Sequence, residues 1–128
     1  MQSSILQAKT VLVVDDEPLL RSAIAFDFKR RGCRVLEAAT GSEAYEVVKA
    51  NVIDAVVSDV RMPNGDGIEL LKRISLLEGF KPVVVLLTGF ADLTEADAIA
   101  LGARGLLEKP IDRKLMMKVL EEALEKKP

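Results

Sequence analysis

The chain has 128 residues, of which 49% are hydrophobic, so it has room for one domain with one well-filled core. Its 18 basic and 20 acidic residues give a formal net charge of −2, a balance that excludes a basic nucleic-acid surface. Histidine is absent and Cys33 is the one cysteine, which excludes a histidine-dependent triad, a histidine-ligated metal and an internal disulfide. The longest apolar run, residues 83–87, is too short to span a bilayer, and we expect a cytoplasmic protein that binds no membrane.

Short apolar segments alternate with amphipathic segments along the chain. After a loose lead-in over residues 1–8, the predicted strands cover residues 10–14, 34–38, 54–58, 83–87 and 105–107. A residue suited to the start of a helix follows each strand: Pro18, Thr40, Asp66, Asp92 and Asp112. Five strands that alternate with five helices predict a parallel sheet with right-handed crossovers and helices on both faces.

Polar side chains stand at the carboxyl ends of four predicted strands. In chain order they are Asp15 and Asp16, then Asp59, Thr88 and Lys109. The carboxyl ends of parallel strands meet at one edge of the sheet, where ligands bind near the point at which strand order reverses. We therefore predict one site that contains all five side chains, with Asp59 as a nucleophile that accepts a phosphoryl group.

The three aspartates of this site predict a divalent cation. Carboxylates held within a few ångströms repel one another, so some of them protonate unless a cation neutralises them. Oxygen ligands without histidine or cysteine select Mg²⁺ or Mn²⁺ over zinc. We assign Asp16 and Asp59 as direct ligands together with the backbone carbonyl of Arg61, and Asp15 as a ligand through water.

The remaining two side chains suit the phosphoryl group itself. Transfer through a loose transition state needs an in-line nucleophile, with positive charge and hydrogen-bond donors around three equatorial oxygens. Lys109 supplies a mobile positive charge, and the hydroxyl of Thr88 supplies a donor.

Four motifs carry a resemblance to a known family: V-D-D-E at residues 14–17, D-x-x-M-P-x-x-D-G at 59–67, L-T-G at 87–89 and E-K-P at 108–110. Together they resemble the receiver domain of two-component response regulators, over residues 9–126. The resemblance implies a single flavodoxin-like (βα)5 domain, doubly wound, with strand order 2-1-3-4-5. It also implies that Asp59 takes a phosphoryl group from a phosphohistidine of a sensor histidine kinase or phosphotransfer protein, with Mg²⁺, and later loses it to water. A further implication is a cis peptide bond between Lys109 and Pro110 that aims the lysine inward.

Some positions bear on switching and on the lifetime of the acyl phosphate. Receivers usually carry an aromatic residue in the fifth strand that moves with the threonine, whereas this chain has Leu106. Arg61 and Phe90 lie two positions beyond Asp59 and Thr88, where family members tune the phosphoryl lifetime. We group these three residues with Gly89 and Pro110 as switch and tuning residues.

The resemblance implies a signalling domain rather than an enzyme. Its output surface is expected on the fourth helix, fifth strand and fifth helix, in or near which lie Ile99, Leu106, Met116 and Met117. The expected partners are the phosphodonor, a downstream protein on this surface and a second copy in a phosphorylation-dependent dimer. The chain is either a stand-alone receiver or a receiver from a hybrid kinase or larger regulator.

Two other functions stay open at this point. The first is an interaction module with the receiver fold that is not phosphorylated, and the complete acidic set argues against it. The second is a Mg²⁺-dependent aspartyl phosphatase. Such phosphatases carry D-x-D after the first strand and usually need a cap, whereas Asp15 and Asp16 are adjacent and no cap fits in this length.

Overall fold

The computed structural model describes residues 5–63, 66–89 and 93–126. Within them, strands and helices alternate as follows: β1 Thr10–Val14, α1 Pro18–Arg30, β2 Arg34–Ala38, α2 Gly41–Ala50, β3 Ala55–Asp59, α3 Gly67–Ser75, β4 Val83–Thr88, α4 Glu95–Ala100, β5 Gly105–Glu108 and α5 Arg113–Glu125. None of the helices in the described part of the chain is both long enough and apolar enough to cross a membrane.

The strands form one parallel sheet in the order β2-β1-β3-β4-β5, which confirms the fold class. β1 and β2 have the predicted bounds, whereas β3, β4 and β5 each extend one residue beyond the predicted end. Asp59 and Thr88 are therefore the last residues of their strands, still held in the sheet rather than in the loops that follow.

Side chains alternate between the two faces of the sheet, and each face carries its own hydrophobic cluster. On one face, Val13 and Val57 pack with Phe28 of α1 and Leu120 of α5. On the other face, the cluster is built from these side chains of β1, β3, α2, α3 and α4: Leu12, Val56, Ala44, Leu70 and Ala98. Both faces are covered by helices, which explains why the central strands read as continuous apolar runs.

The methionines assigned to the output surface lie in the core. Met116 and Met117 are 0% and 4% exposed and belong to the cluster under α1 and α5. Methionine at such positions suits either an adaptable partner-binding surface or, more commonly, core packing, and the structure shows core packing. α5 presents these two positions to the sheet because its amphipathic period places them on the same face as Leu120 and Ala123.

The caps explain where most helices begin. Thr40 Oγ1 accepts a hydrogen bond from the amide of Glu43, and Asp66 Oδ1 accepts one from the amide of Glu69. Asp112 likewise caps α5. These three caps are confirmed.

The predicted cap of α4 is wrong. α4 begins at Glu95, and its N-cap is Thr94, which forms a reciprocal capping box with Asp97. Asp92 lies outside the described residues. Thr94 Oγ1 accepts a hydrogen bond from the Asp97 amide, and Asp97 Oδ2 accepts one from the Thr94 amide, so both backbone amides are satisfied.

Ile5 and Leu6 pack on the domain, so the expectation of a loose lead-in is wrong for these two residues. Leu6 is 0% exposed and joins the core cluster of α1 and α5. The amide of Ala8 donates to the carbonyl oxygen of Gly32, and the Cys33 thiol donates to that of Leu6, over 3.2 Å. Burial raises the pKa of the Cys33 thiol to about 11, which keeps the thiol protonated and weakly nucleophilic at neutral pH.

Candidate functional site

The sheet brings three aspartates together at its carboxyl edge. Asp15 directly follows β1 and Asp59 ends β3, and these strands are neighbours with Val14 beside Ser58 in register. Asp15, Asp16 and Asp59 each offer a carboxylate oxygen within 4.8 Å of the others. Asp15 and Asp59 are buried and Asp16 is exposed, so the cluster opens to solvent on the Asp16 side.

Lys109 reaches this cluster from the end of β5. Its amide donates to the carbonyl oxygen of Thr88, which continues the β4–β5 pairing by one residue. Its ammonium Nζ lies 3.1 Å from Asp59 Oδ2 and 3.5 Å from Asp15 Oδ2, and the Lys109 side chain is 20% exposed. The Lys109–Pro110 peptide bond is cis, as the resemblance implied.

Glu17 is a fourth carboxylate near the ammonium group. Its Oε1 lies 3.7 Å from Nζ of Lys109, and its amide donates to Asp15 Oδ1 over 2.8 Å. Sequence reasoning recorded Glu17 only as part of the V-D-D-E motif. The one signal that pointed to it was its adjacency to the paired aspartates.

The titration behaviour of the site follows from burial and charge. Burial raises the pKa of Asp59 above its ordinary value, as does the charge of Asp15, and the hydrogen bond from Lys109 offsets only part of this. Burial also raises the pKa of Asp15, against the hydrogen bond from the Glu17 amide and the charge of Lys109. Burial acts to lower the pKa of Lys109, but its hydrogen bond to Asp59 and the surrounding carboxylates outweigh burial and raise it.

Three carboxylates, with Glu17 beside them, surround the ammonium group of Lys109, so the described side chains of the cluster carry more negative than positive charge when ionised. Burial of Asp15 and Asp59 adds to the cost of holding these charges together. The site is therefore poised to take up positive charge.

The donor set fits a small divalent cation. Among the residues that the structure describes, these three aspartates form the one cluster of three or more candidate metal ligands. In an octahedral site with bonds of about 2.1 Å, ligand atoms lie about 3 Å apart when adjacent and about 4 Å apart when opposite. Oxygens that already lie within 4.8 Å of one another reach such spacings with small movements.

Other predicted site residues lie around this edge. Thr88 is buried at the end of β4, one residue beyond the Leu87 that pairs with Asp59. A Cβ added to Gly89 would lie 4.0 Å from Cδ of Lys109, which places Gly89 beside the lysine stem. Arg61 is exposed and lines a surface cleft with Met62. Phe90 falls outside the described residues.

Leu106 occupies the place where an aromatic residue was expected in other receivers. It lies beside Leu86 in register and packs, partly buried, against the cluster under α2, α3 and α4. It is therefore a half-covered apolar side chain on β5.

Gly67 was predicted from the sequence only as the last residue of the D-x-x-M-P-x-x-D-G motif, without a role in the site. Its amide donates to the carbonyl oxygen of Val60 over 2.8 Å, and the amide of Val60 donates to that of Leu87. A Cβ at Gly67 would overlap the backbone carbonyl oxygen of Asp59. The absence of a side chain lets the start of α3 pack directly against the residue that ends β3.

The fold and this site together define a signalling domain of two-component systems, and the comparisons with known proteins agree. The family described as "Response regulator receiver domain" matches residues 11–121. The chain belongs to this family.

Individual relatives share the domain but differ in the rest of their length. The chain is 36% identical over 120 residues to the Autoinducer 1 sensor kinase/phosphatase LuxN of Vibrio campbellii, covering 94% of this chain and 14% of LuxN. It is 31% identical over 116 residues to the Transcriptional regulatory protein GlrR of Escherichia coli, covering 90% of this chain and 26% of GlrR. The chain therefore spans about a quarter or less of these two relatives.

A solved structure gives the same fold over nearly the whole chain. The crystal structure of a putative response regulator from Chloroflexus aurantiacus superposes with a TM-score of 0.86 at 27% identity, covering 94% of this chain and 100% of that one. Receiver domains of this family accept phosphoryl groups, and the acidic cluster of this chain is consistent with that role.

Proposed function

We propose that Asp59 is the phosphoacceptor and that it takes its phosphoryl group from a phosphohistidine of a sensor histidine kinase or histidine phosphotransfer protein. The observation that carries the proposal is the contact between Lys109 Nζ and Asp59 Oδ2, 3.1 Å long, at the centre of the acidic cluster. A buried strand-end carboxylate that lies beside two further carboxylates and contacts an ammonium group is equipped to hold a cation and a transferring phosphoryl group.

The transfer balances as a displacement at phosphorus. A carboxylate oxygen of Asp59 forms the new O–P bond as the N–P bond of the phosphohistidine breaks, and the departing imidazole nitrogen takes up a proton. Mg²⁺ or Mn²⁺, held by Asp15, Asp16, Asp59 and the Arg61 carbonyl, supplies charge neutralisation when bound. In autodephosphorylation, a water oxygen forms a bond to phosphorus as the bond between phosphorus and the Asp59 oxygen breaks, which releases inorganic phosphate and restores the Asp59 carboxylate.

Lys109 and Thr88 stabilise the phosphoryl oxygens in this proposal. Lys109 already has its ammonium group on Asp59, so only a short movement transfers it to an oxygen of the phosphoryl group. Thr88 ends the neighbouring strand, and its hydroxyl is the donor for a second oxygen. Apart from self-phosphorylation and autodephosphorylation, we assign the domain no enzymatic activity.

The switch and tuning residues extend the proposal. Arg61 and Phe90 set the lifetime of the acyl phosphate by contacting the phosphoryl group or shielding it from water. Thr88 draws Gly89 towards the phosphoryl group, and Leu106 shifts rotamer to fill the space that this leaves, a replacement for the usual aromatic residue. Pro110 fixes the approach of Lys109 from β5.

The output surface comprises α4, β5 and α5, where Ile99 and Leu115 are 53% and 47% exposed. We propose that a downstream protein, or a second phosphorylated copy, binds this surface. We assign the receiver to residues 9–126 and expect it to act in the cytoplasm, because its phosphodonors present their phosphohistidines there.

The experiment is labelling by acetyl phosphate with Mg²⁺, read by intact mass. The wild-type chain is expected to gain one phosphoryl group, and Asp59→Asn to gain none. Asp66→Asn is the matched control, because it makes the same change of charge at the N-cap of α3, seven positions beyond Asp59, while asparagine still caps the helix.

Three results overturn the proposal: an unlabelled wild-type chain, equal labelling of Asp59→Asn, or loss of labelling in both variants. An unlabelled wild-type chain that still binds its partners favours the interaction module instead.

A further inference from the structure

We infer that Arg21 is a positioning residue for the divalent-cation site and acts through the backbone between Asp15 and Asp16; the inference rests on the proposed function. Arg21 is the fourth residue of α1, and its side chain is 19% exposed. Its Nη1 donates a hydrogen bond of 2.9 Å to the backbone carbonyl oxygen of Asp15. Its Nε donates one of 3.0 Å to Oε1 of Glu37 on β2.

The carbonyl that Arg21 contacts belongs to the peptide group that joins the two aspartates. Asp15 is held at its amide, which donates to the carbonyl oxygen of Ala38, and at its carboxylate, which accepts from the Glu17 amide. Arg21 adds a third point of attachment on the side that leads to Asp16. A fixed peptide group fixes the Cα of Asp16, from which the exposed carboxylate projects towards the cluster.

Glu37 determines where the guanidinium points. Arginine presents donors in a rigid planar fork, so one group can bind Glu37 and the Asp15 carbonyl at the same time. Glu37 precedes Ala38, whose carbonyl already binds the Asp15 amide, and the pair therefore ties the β1–α1 turn to β2. The Glu37 charge also offsets that of Arg21 next to a site that binds a cation.

These contacts give Arg21 two effects on cation binding with opposite signs. As a positive charge it opposes the cation, whereas as a donor it keeps the aspartates in place. Removing a group that orients metal ligands typically weakens metal binding by 10- to 100-fold. Removing charge alone would tighten binding, so the sign of the change separates the two effects.

The test is a Mn²⁺ titration of the full chain, in which electron paramagnetic resonance counts free Mn²⁺, repeated with Mg²⁺ by calorimetry. The chain has no tryptophan, and its one tyrosine, Tyr45, lies on α2, so intrinsic fluorescence is not the readout. Arg21→Gln is expected to weaken Mn²⁺ binding roughly tenfold, the low end of that range.

Arg31→Gln is the matched control. It removes the same charge at the opposite end of α1, where Arg31 pairs with Glu121 on α5. In about 0.1 M salt the screening length is about 10 Å, so a charge at the far end of the helix has little influence on the site. The Mn²⁺ affinity of Arg31→Gln is expected to match that of the wild type.

Two further variants extend the test, and the first of them keeps the inference falsifiable if Arg21→Gln does not fold. Arg21→Lys retains the positive charge but lacks the planar set of guanidinium donors. It is expected to lose part of the affinity for Mn²⁺. Glu37→Gln is expected to weaken binding in the wild type and to have no further effect in Arg21→Gln, because both act through one contact.

The inference about Arg21 is wrong if folded Arg21→Gln binds Mn²⁺ as tightly as the wild type or more tightly. If Arg21→Gln does not fold, the same result for Arg21→Lys has the same meaning. Neither result affects the proposed function. A wild-type chain that takes up no Mn²⁺ overturns the proposed function and this inference together.

Discussion

The ammonium group of Lys109 lies 3.1 Å from Oδ2 of Asp59, although the two residues are 50 positions apart in the chain. The same ammonium group lies 3.5 Å from Oδ2 of Asp15. The ammonium group of Lys109 thus contacts two buried carboxylates. The pKa values of both aspartates are nevertheless raised, because burial affects them more than the hydrogen bond and charge of Lys109 do. The buried carboxylates therefore oppose folding when they are charged, and a divalent cation at the proposed site would relieve that cost.

Lys109→Met is expected to destabilise the metal-free protein by about 2 kcal/mol. Breaking a buried ion pair costs about 3–5 kcal/mol, and the partial exposure of Lys109 reduces that cost. The measurement is urea unfolding with a chelator present. Lys49→Met is the control, since Lys49 pairs with Glu46 on an exposed helix face, where such a pair contributes about 0.3–0.5 kcal/mol. Equal losses in the two variants would contradict the buried-pair argument.

Asp59→Asn is expected to stabilise the metal-free protein, on the order of 1 kcal/mol, the usual size of a single-substitution effect. The physical reason is that asparagine resembles the neutral carboxyl group, which the folded state prefers because burial raises the pKa of Asp59. Thermal unfolding in the presence of a chelator measures the change. A lower melting temperature for Asp59→Asn would show that its contact with Lys109 outweighs burial.

The stabilisation by Asp59→Asn is expected to depend on pH. A carboxyl group with a raised pKa in the folded state contributes stability below its ordinary value of 3.8, and this contribution is lost as pH rises through the raised pKa. The gap in unfolding free energy between Asp59→Asn and the wild type should therefore widen as pH rises from about 4 towards 7. Urea unfolding across this range checks it, and a constant gap would contradict the assigned direction.

Saturating Mg²⁺ is expected to reverse the order of stability of these two proteins. A ligand that binds only the folded state adds about 2.7 kcal/mol at one hundred times its dissociation constant. The wild type should gain this amount, whereas Asp59→Asn, which lacks a ligand and a charge, should gain much less. Thermal unfolding with Mg²⁺, and with Ca²⁺ as a larger cation for comparison, measures the gain. Equal gains in both proteins would place the cation elsewhere.

The fold and the meeting of Asp15, Asp59 and Lys109 could be predicted from the sequence because both depend on the alternation of strands and helices. Apolar strands that alternate with amphipathic helices define a parallel sheet, and the residues after parallel strands must share an edge. Asp15, Asp59 and Lys109 could therefore be placed together without coordinates. The caps at Thr40 and Asp66 were predicted for a similar reason, because capping depends on residues three positions apart.

The remaining features depend on relationships that local patterns do not contain. The contact between Arg21 and Glu37 requires the β1–β2 register and the rotation of α1. Leu6 is buried because it packs into the cluster formed by α1 and α5. No local sequence pattern predicts that contact. At α4 the local pattern was ambiguous, since Asp92 and Thr94 both precede an acidic residue by three positions.

Gly67 lies where the backbone of α3 meets the backbone at the end of β3. A Cβ at this position would overlap the carbonyl oxygen of Asp59 and lie within 3.2 Å of Ser58 Oγ. Both the strand end and the helix start are fixed by hydrogen bonds, so neither can move away freely. Gly67→Ala is therefore expected to shift Asp59 out of the cluster.

The expected cost of Gly67→Ala is about 2 kcal/mol of unfolding free energy, within the range of about 1–3 kcal/mol for overpacking, together with weaker Mn²⁺ binding. Gly79→Ala is the control. Gly79 has a φ of +81° and no atom within 4 Å of an added Cβ, so that substitution meets only backbone strain, about 1–2 kcal/mol, far from the site. Urea unfolding measures the loss of stability in both variants, and the Mn²⁺ titration shows whether Gly67→Ala alone weakens binding. A Gly67→Ala protein that binds Mn²⁺ as tightly as Gly79→Ala would show that the close contact at Asp59 does not hold the phosphoacceptor in place.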